Sequence, residues 1–347
     1  MAKKILCLFI CFSLLIPYAV SAANEKDKIW MQYYVNTSGS DDNDGLTKDK
    51  PFRSIERAQQ AVREVSSNMK GDIVVNIAAG GEAYVLGDTL LFHPEDSGKN
   101  GYKVIYRGEN RADGKKTTLS GGTKIEGFTR STDNSNIWQA AVKDDDIERI
   151  VDLYVNNRKA YLASSSRLLN ADGHYHEFNS RYKTDGMYIS KSEMGKYENP
   201  EDILCYWDIV WKTNTIPVAD IIDDPEDDSR LILKMAQPLW NRWGMLSDDS
   251  LAANPTRPFE LKNAMELLDS PGEFYFNRKT RILYYYPFDD EDMSVASVYA
   301  PRLDKIVRIM GNGVENKVKA LAFENLEFAH SSYNAWAVYG IMNAQGT

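Results

Sequence analysis

The residue types best suited to contact a ligand stand together in the stretch Trp240-Asn-Arg-Trp243. The indole rings of Trp240 and Trp243 offer flat faces on which the C–H face of a sugar can stack, and Arg242 offers planar hydrogen-bond donors. Tryptophans in a β-rich protein also serve as core or interface packing, and this alternative stays open. The three side chains are therefore candidate substrate contacts.

A second group of candidate substrate contacts is His330, with Asn334 and Trp336 after it. An imidazole donates and accepts hydrogen bonds and changes charge near neutral pH, which suits a binding site. A histidine at the end of a strand is also often a hydrogen-bonded surface or core group. Both interpretations of His330 stay open at this point.

Two carboxylates close together in the chain, Glu324 and Glu327, could be mistaken for an acid/base pair. Residues three apart on one strand point to opposite faces, so one of them would face the core unless Asn325 turns the chain. We therefore predict no catalytic residue at these positions.

Two stretches resemble metal sites only in part. His174-Tyr-His176 places two imidazoles at alternate positions, but no third ligand is evident nearby. In the acidic loop at residues 36–46, a calcium-loop register puts Ser40 at the first ligand position and Pro51 at the twelfth, where a glutamate is needed. We predict no metal site and no cofactor; calcium stays possible as an alternative, although no clear motif supports it.

The composition predicts a soluble globular protein of 347 residues with a net charge of −9, which gives no basic surface for nucleic acid. Residues 1–22 combine lysines, an apolar run and small residues in the pattern of a secretory signal peptide, and we expect cleavage after Ala22. That run is too short to span a membrane. The cleaved chain would keep Cys205 alone, so we expect no internal disulfide. A secreted or periplasmic protein with a neutral partner is predicted.

The pattern of apolar residues predicts a mostly β protein with one N-terminal helix. Ser54 is a suitable N-cap, and Ile55, Ala58, Val62 and Val65 recur at helical spacing. The short runs that follow fit strands of a sandwich, a barrel or a solenoid equally well. From about residue 123 to residue 300 the strands are longer and more aromatic, and a hairpin is predicted across residues 276–282.

Several stretches resemble one family. Residues 33–36, 39–45 and 51–55 resemble the entry segment of secreted right-handed parallel β-helix proteins of the pectate-lyase-like superfamily. Residues 153–158, 267–287 and 321–331 look like the β-helix glycoside hydrolases that carry an inserted β-sandwich. These include β-xylosidases and enzymes of the α-L-fucosidase and xylanase type.

The resemblance implies a right-handed parallel β-helix interrupted by an inserted β-sandwich-like module. On this basis, residues 23–122 would form an N-terminal cap and the first coils, residues 123–300 the module, and residues 301–347 the resumed and truncated helix.

The resemblance also implies a function, namely hydrolysis of a polysaccharide or oligosaccharide by a pair of carboxylates. The catalytic carboxylates are expected beyond Thr347, so the chain would be an N-terminal part of the enzyme. A non-catalytic carbohydrate-binding or surface β-helix protein and a polysaccharide lyase stay open as alternatives. The sequence leaves the sugar, the stereochemical outcome and the oligomeric state open.

Overall fold

The structure is a computed structural model that describes residues 28–80, 83–111, 114–177, 184–209, 212–244 and 254–333. The predicted signal peptide at residues 1–22 lies outside these residues. Across the part of the chain that the structure describes, no helix is both long enough and apolar enough to cross a membrane.

The described chain is mostly β, as predicted, with two α-helices and 24 strands. In chain order the elements of its first half are β1 (Ile29–Val35), α1 (Ile55–Val65), β2 (Asp72–Ile77), β3 (Tyr84–Val85), β4 (Leu90–Phe92), β5 (Val104–Gly108), β6 (Thr117–Ser120), β7 (Gly122–Ile125), β8 (Thr129–Arg130), β9 (Trp138–Ala141), β10 (Tyr154–Val155), β11 (Arg158–Lys159) and β12 (Tyr161–Leu162). Those of the second half are β13 (Tyr175–Glu177), β14 (Thr184–Ser190), β15 (Leu204–Ile209), β16 (Lys212–Asp223), β17 (Arg230–Met235), α2 (Leu239–Gly244), β18 (Glu260–Lys262), β19 (Glu273–Asn277), β20 (Ile282–Tyr285), β21 (Val298–Pro301), β22 (Val307–Ile309), β23 (Leu321–Glu324) and β24 (Leu326–Ala329).

Helix α1 confirms the prediction made from its cap and its apolar stripe. The Ser54 hydroxyl accepts a hydrogen bond from the Arg57 backbone N–H at 3.1 Å, and Ile55, Ala58 and Val62 are buried. The Asp41 carboxylate accepts from the Ser54 backbone N–H at 2.8 Å and from its hydroxyl at 2.8 Å. The acidic loop therefore supports the start of the helix.

Three small parallel sheets surround the first hydrophobic core. Their strand orders are β1-β2-β5-β23, β22-β4 and β24-β6-β3. Early and late parts of the chain meet in each sheet, and Leu321 of β23 lies opposite Val104 of β5. The buried residues of this core come from residues 33–119 and from Leu303, Ile306 and Leu326.

The remaining strands form three further sheets with mainly antiparallel pairing. Their orders are β11-β10-β21-β7, β12-β19-β20-β9-β8 and β13-β14-β17-β16-β15-β18. The predicted hairpin across residues 276–282 is confirmed, because β19 and β20 pair antiparallel and Asn277 Oδ1 accepts from the backbone N–H groups of Lys279 and Thr280. Separate clusters of buried apolar residues underlie these sheets.

The prediction of a right-handed parallel β-helix as the fold class is wrong. The strands divide among six short separate sheets, and the two largest contain five and six strands with antiparallel or mixed pairing. The physical reason is that a short alternating run shows which face of a strand is buried but not the direction of its partner. Local turns such as the one after Asn277 decide that direction, and they make neighbours antiparallel.

The chain turns sharply at Asn325, between β23 and β24, so the two strands lie in different sheets. Asn325 adopts a φ of 51°, and its side-chain amide donates to Gly108 O and to Asn110 Oδ1, both at 2.8 Å. Gly108 permits this approach, since a Cβ there would lie 2.4 Å from Asn325 O. An asparagine at this position therefore provides both the left-handed backbone and the side-chain donor.

We predict that Asn325→Ala lowers the free energy of unfolding by about 1–3 kcal/mol, because it removes both hydrogen bonds and disfavours the positive φ. Asn325→Gly should lose less stability, since glycine tolerates that backbone. Urea unfolding measures both changes, with Asn312→Ala in an exposed turn as the matched control. Equal stability of Asn325→Ala and the unaltered protein would contradict the role assigned to this turn.

Candidate functional site

Trp240 lies in a hydrophobic core and not on a surface. Its side chain is 0% exposed, and its ring packs 6.0 Å from the ring of Trp207 and 5.9 Å from that of Tyr175. In this arrangement the indole stabilises the six-stranded sheet. The side chains of Arg242 and Trp243 lie outside the described part of the chain, so their substrate-contact role stays a prediction.

His330 lies where the parallel sheets meet the sheet of β10, β11, β21 and β7. Its Nδ1 is 2.8 Å from Ser120 Oγ and its Nε2 is 3.1 Å from Asn157 Oδ1. The imidazole also stacks on the Tyr299 ring at 4.4 Å between centroids. The residue is only 4% exposed, and both ring nitrogens have partners within the protein. The other two members of this predicted group, Asn334 and Trp336, lie outside the described residues.

The environment of His330 favours the neutral imidazole. Burial lowers its pKa below the ordinary value of 6.5, because a charged ring would lose its hydration, and Glu327 opposes this effect. A neutral ring that donates from Nε2 to Asn157 Oδ1 leaves Nδ1 free to accept from the Ser120 hydroxyl. His330 is therefore well placed to join two parts of the structure.

Glu324 and Glu327 are held apart by the turn at Asn325. On β23, the Glu324 carboxylate accepts a hydrogen bond from Arg107 Nε at 2.7 Å. On β24, the Glu327 carboxylate accepts one from the Thr118 hydroxyl at 2.6 Å. Because the turn separates them into two sheets, both carboxylates are at least partly exposed. Each carboxylate has its own partner, and their contacts do not join them in one site.

The two histidines of the 174–176 stretch have separate partners. His174 Nδ1 lies 3.5 Å from an oxygen of Asp172, and His176 Nδ1 lies 2.5 Å from an oxygen of Asp185. Among the residues that the structure describes, no group of three or more potential ligands of the His, Cys, Asp and Glu types is placed to hold a metal ion.

A cleft that sequence reasoning missed lies where three of the sheets with antiparallel strands meet. It has a volume of about 410 Å³. Its walls come from the strands β11, β12, β15, β18 and β19 and from two loops, and its lining includes Asp152, Lys159, Tyr161, Tyr206, Lys262 and Glu273. These residues have no regular spacing in the sequence, so only the fold brings them together.

Oppositely charged side chains are paired at the cleft. Lys159 Nζ lies 2.7 Å from Asp152 Oδ1, and Lys262 Nζ lies 3.0 Å from Glu260 Oε2. The Lys262 ammonium also lies over the ring of Tyr206, 4.4 Å from its centroid. Burial raises the pKa of Tyr206 to about 12, so this phenol stays neutral and can donate a hydrogen bond.

Glu273 forms part of the cleft wall and is only 8% exposed. Its Oε1 accepts from the backbone N–H of Ser164 at 3.3 Å, and its Oε2 accepts from those of Asp269 and Ser270 at 3.3 and 3.2 Å. Burial raises the pKa of this carboxyl, although the backbone donors oppose the shift. Both oxygens are thus used to fix the loop at residues 269–270 against β12 and the residues after it.

No family model matches the chain, and no curated protein matches its sequence. The fold is similar to that of a solved structure named glycoside hydrolase, with a TM-score of 0.68 and 21% sequence identity over 89% of this chain and 52% of that chain. The chain thus spans about half the length of that structure. A structure of XylC in complex with xylose overlaps 87% of this chain and 35% of its own, at 13% identity, and its TM-score of 0.33 supports no argument.

We predict that His330 makes folding stability depend on pH. The folded-state pKa is lowered, so the unfolded chain takes up a proton first as the pH falls, and stability decreases as the pH falls through the unfolded value of about 6.5. The loss ceases below the lower folded-state pKa. Urea unfolding between about pH 7.5 and pH 5 measures this effect.

His330→Asn should show a smaller loss of stability over that range, because it removes the titrating ring. His174→Asn is the matched control, since the His174 side chain is largely exposed. The same pH dependence in His330→Asn and in the unaltered protein would exclude this role of His330.

Proposed function

We propose that the chain is part of a secreted glycoside hydrolase that acts on a polysaccharide or oligosaccharide. The observation that carries this proposal is the similar fold of the solved structure named glycoside hydrolase, which extends over 89% of the chain at a TM-score of 0.68. The aromatic and charged cleft gives independent support for a carbohydrate ligand, because polar groups beside an exposed ring are suited to a sugar.

Glycoside hydrolysis needs one carboxyl group that is protonated and a second that is ionised. We assign these roles to none of Asp152, Glu273, Glu324 and Glu327. Glu324 and Glu327 have separate partners, Asp152 pairs with Lys159, and Glu273 accepts from backbone groups through both oxygens. Groups held in this way are suited to maintaining structure or to binding.

These carboxylates already have hydrogen-bond or ion-pair partners in the protein. This favours a second candidate function, a carbohydrate-binding protein without hydrolytic activity. Such a protein needs a rigid polar surface with an exposed aromatic ring, and it needs no titrating pair. The two candidates predict the same ligand class and differ in whether a glycosidic bond is cleaved.

We also propose that residues 123–300 are an inserted module. The distribution of the cores supports this division, since the first core uses residues before 123 and after 300, and the other clusters use residues between 125 and 300. The pairing of β7 with β21 brings the two ends of the segment together, with Thr123 opposite Ala300.

Residues 123–300 expressed alone should therefore give a soluble protein with a cooperative thermal unfolding transition, because their cores are internal to the segment. Circular dichroism should show β structure. A parallel preparation of residues 60–237, which has the same length but cuts through the cores, is the control and should not fold. An unfolded product from residues 123–300 would show that the boundaries, or the two-unit division, are wrong.

We expect the full protein, of which we propose this chain to be a part, to cleave at least one member of a panel of aryl glycosides and neutral oligosaccharides, with release of reducing sugar. Preparations with and without residues 1–22 should be compared, and the intact mass of secreted material shows whether cleavage follows Ala22. Formation of an unsaturated, ultraviolet-absorbing product would instead identify a lyase. Saturable binding by the full protein without any cleavage would support the second candidate and reject the hydrolase function.

A further inference from the structure

The cleft between the sheets has the size and construction of a small-ligand site. Its volume of about 410 Å³ lies in the range of about 300–1,000 Å³ that such sites occupy. Several of its walls are short strands that are paired on at least one side, including β12 against β19 and β18 against β15. The backbones that carry the lining side chains are therefore held in position before a ligand arrives, which lowers the entropic cost of binding.

Tyr161 provides an aromatic surface at this cleft. The residue is 63% exposed, although a tyrosine normally buries much of its ring. Its backbone N–H donates to Gly272 O at 2.9 Å, and it lies opposite Glu273 in the pairing of β12 with β19. The backbone that carries the exposed ring is therefore fixed, and the ring borders a polar cavity.

The charged groups at the cleft favour a neutral ligand with many hydroxyl groups. Among the lining residues, Asp152 and Glu273 balance Lys159 and Lys262 in formal charge, and the Glu260 carboxylate that pairs with Lys262 adds one negative charge, so the cleft has no excess of positive charge that would favour an anion. A hydroxyl group can donate to a carboxylate and accept from an ammonium group at the same time. Ser164 and Ser270 also line the cleft; their hydroxyl groups donate to Glu273 Oε1 at 3.4 Å and to Asp269 Oδ1 at 2.8 Å, and their oxygens can still accept a hydrogen bond.

We propose that this cleft binds a neutral saccharide of one or two rings, with one sugar face against Tyr161 and hydroxyl groups bonded to Lys262 and to the Asp152–Lys159 pair. The choice of a saccharide as the ligand rests on the proposed carbohydrate-active function. Binding at this cleft does not require that the chain cleaves the sugar. The cleft is a binding site and holds no residue to which we assign a catalytic step.

The test is isothermal titration of the full chain with xylobiose and with cellobiose, in separate experiments. At least one of them should bind saturably. Tyr161→Ala should raise the Kd about three- to tenfold, because the stacking surface is lost, and Tyr161→Phe should largely retain binding. Lys262→Met should also weaken binding, since it removes the ammonium donor and keeps much of the side-chain volume.

Tyr333→Ala and Lys305→Met are the matched controls, because Tyr333 is 49% exposed, the Lys305 side chain is 55% exposed, and neither residue lines the cleft. Both should bind like the unaltered protein. Absence of binding for both disaccharides would overturn the proposal, as would an unchanged Kd in Tyr161→Ala. Hydrolysis by the full protein without binding at the cleft would refute this site alone, whereas binding at the cleft without any hydrolysis by the full protein would refute the hydrolase function alone.

Discussion

The close contact of β7 with β21 is the constraint on which the rest of the arrangement depends. At this place the chain leaves the parallel sheets and later returns to them, so two backbones and the His330 ring must share a small space. A Cβ at Gly122 would lie 3.0 Å from Ala300 O and 3.0 Å from His330 Cβ. These approaches are tighter than an ordinary side-chain contact, so a side chain here would require the neighbouring atoms to shift by a few tenths of an ångström. The ring nitrogens of His330 then bond to Ser120 on one side and to Asn157 on the other.

Local features of the fold could be predicted from the sequence, whereas the pairing of distant strands could not. The cap at Ser54 and the apolar stripe behind it act within a few residues, and the hairpin after Asn277 depends on one turn. Strand direction depends on partners far along the chain, and the expected parallel β-helix failed for this reason. The burial of Trp240 could not be predicted from the sequence either. An indole near Arg242 suits a binding surface and a core equally well, and only the fold shows that Trp207 is its neighbour.

The candidate site, too, could be predicted from the sequence only in part. His330 was identified from its residue type, but its partners at positions 120 and 157 become visible only in the fold. The cleft gave no signal in the sequence, because Tyr161, Tyr206 and Glu273 are ordinary strand residues that lie far apart in the chain. Tyr161 is exposed on a two-residue strand, and the charged side chains around it lie on other strands. Only the fold brings these residues together.

The pairing of β23 with β5 has a consequence for how the protein forms during synthesis. Arg107 and Glu324 are ion-paired across these strands although they are 217 positions apart. The ribosome delivers the N-terminal strands long before their last partners, so the first core stays open on one side while the intervening residues emerge. Folding of that core is therefore a late event, and its apolar strands need protection from premature association until β22, β23 and β24 arrive.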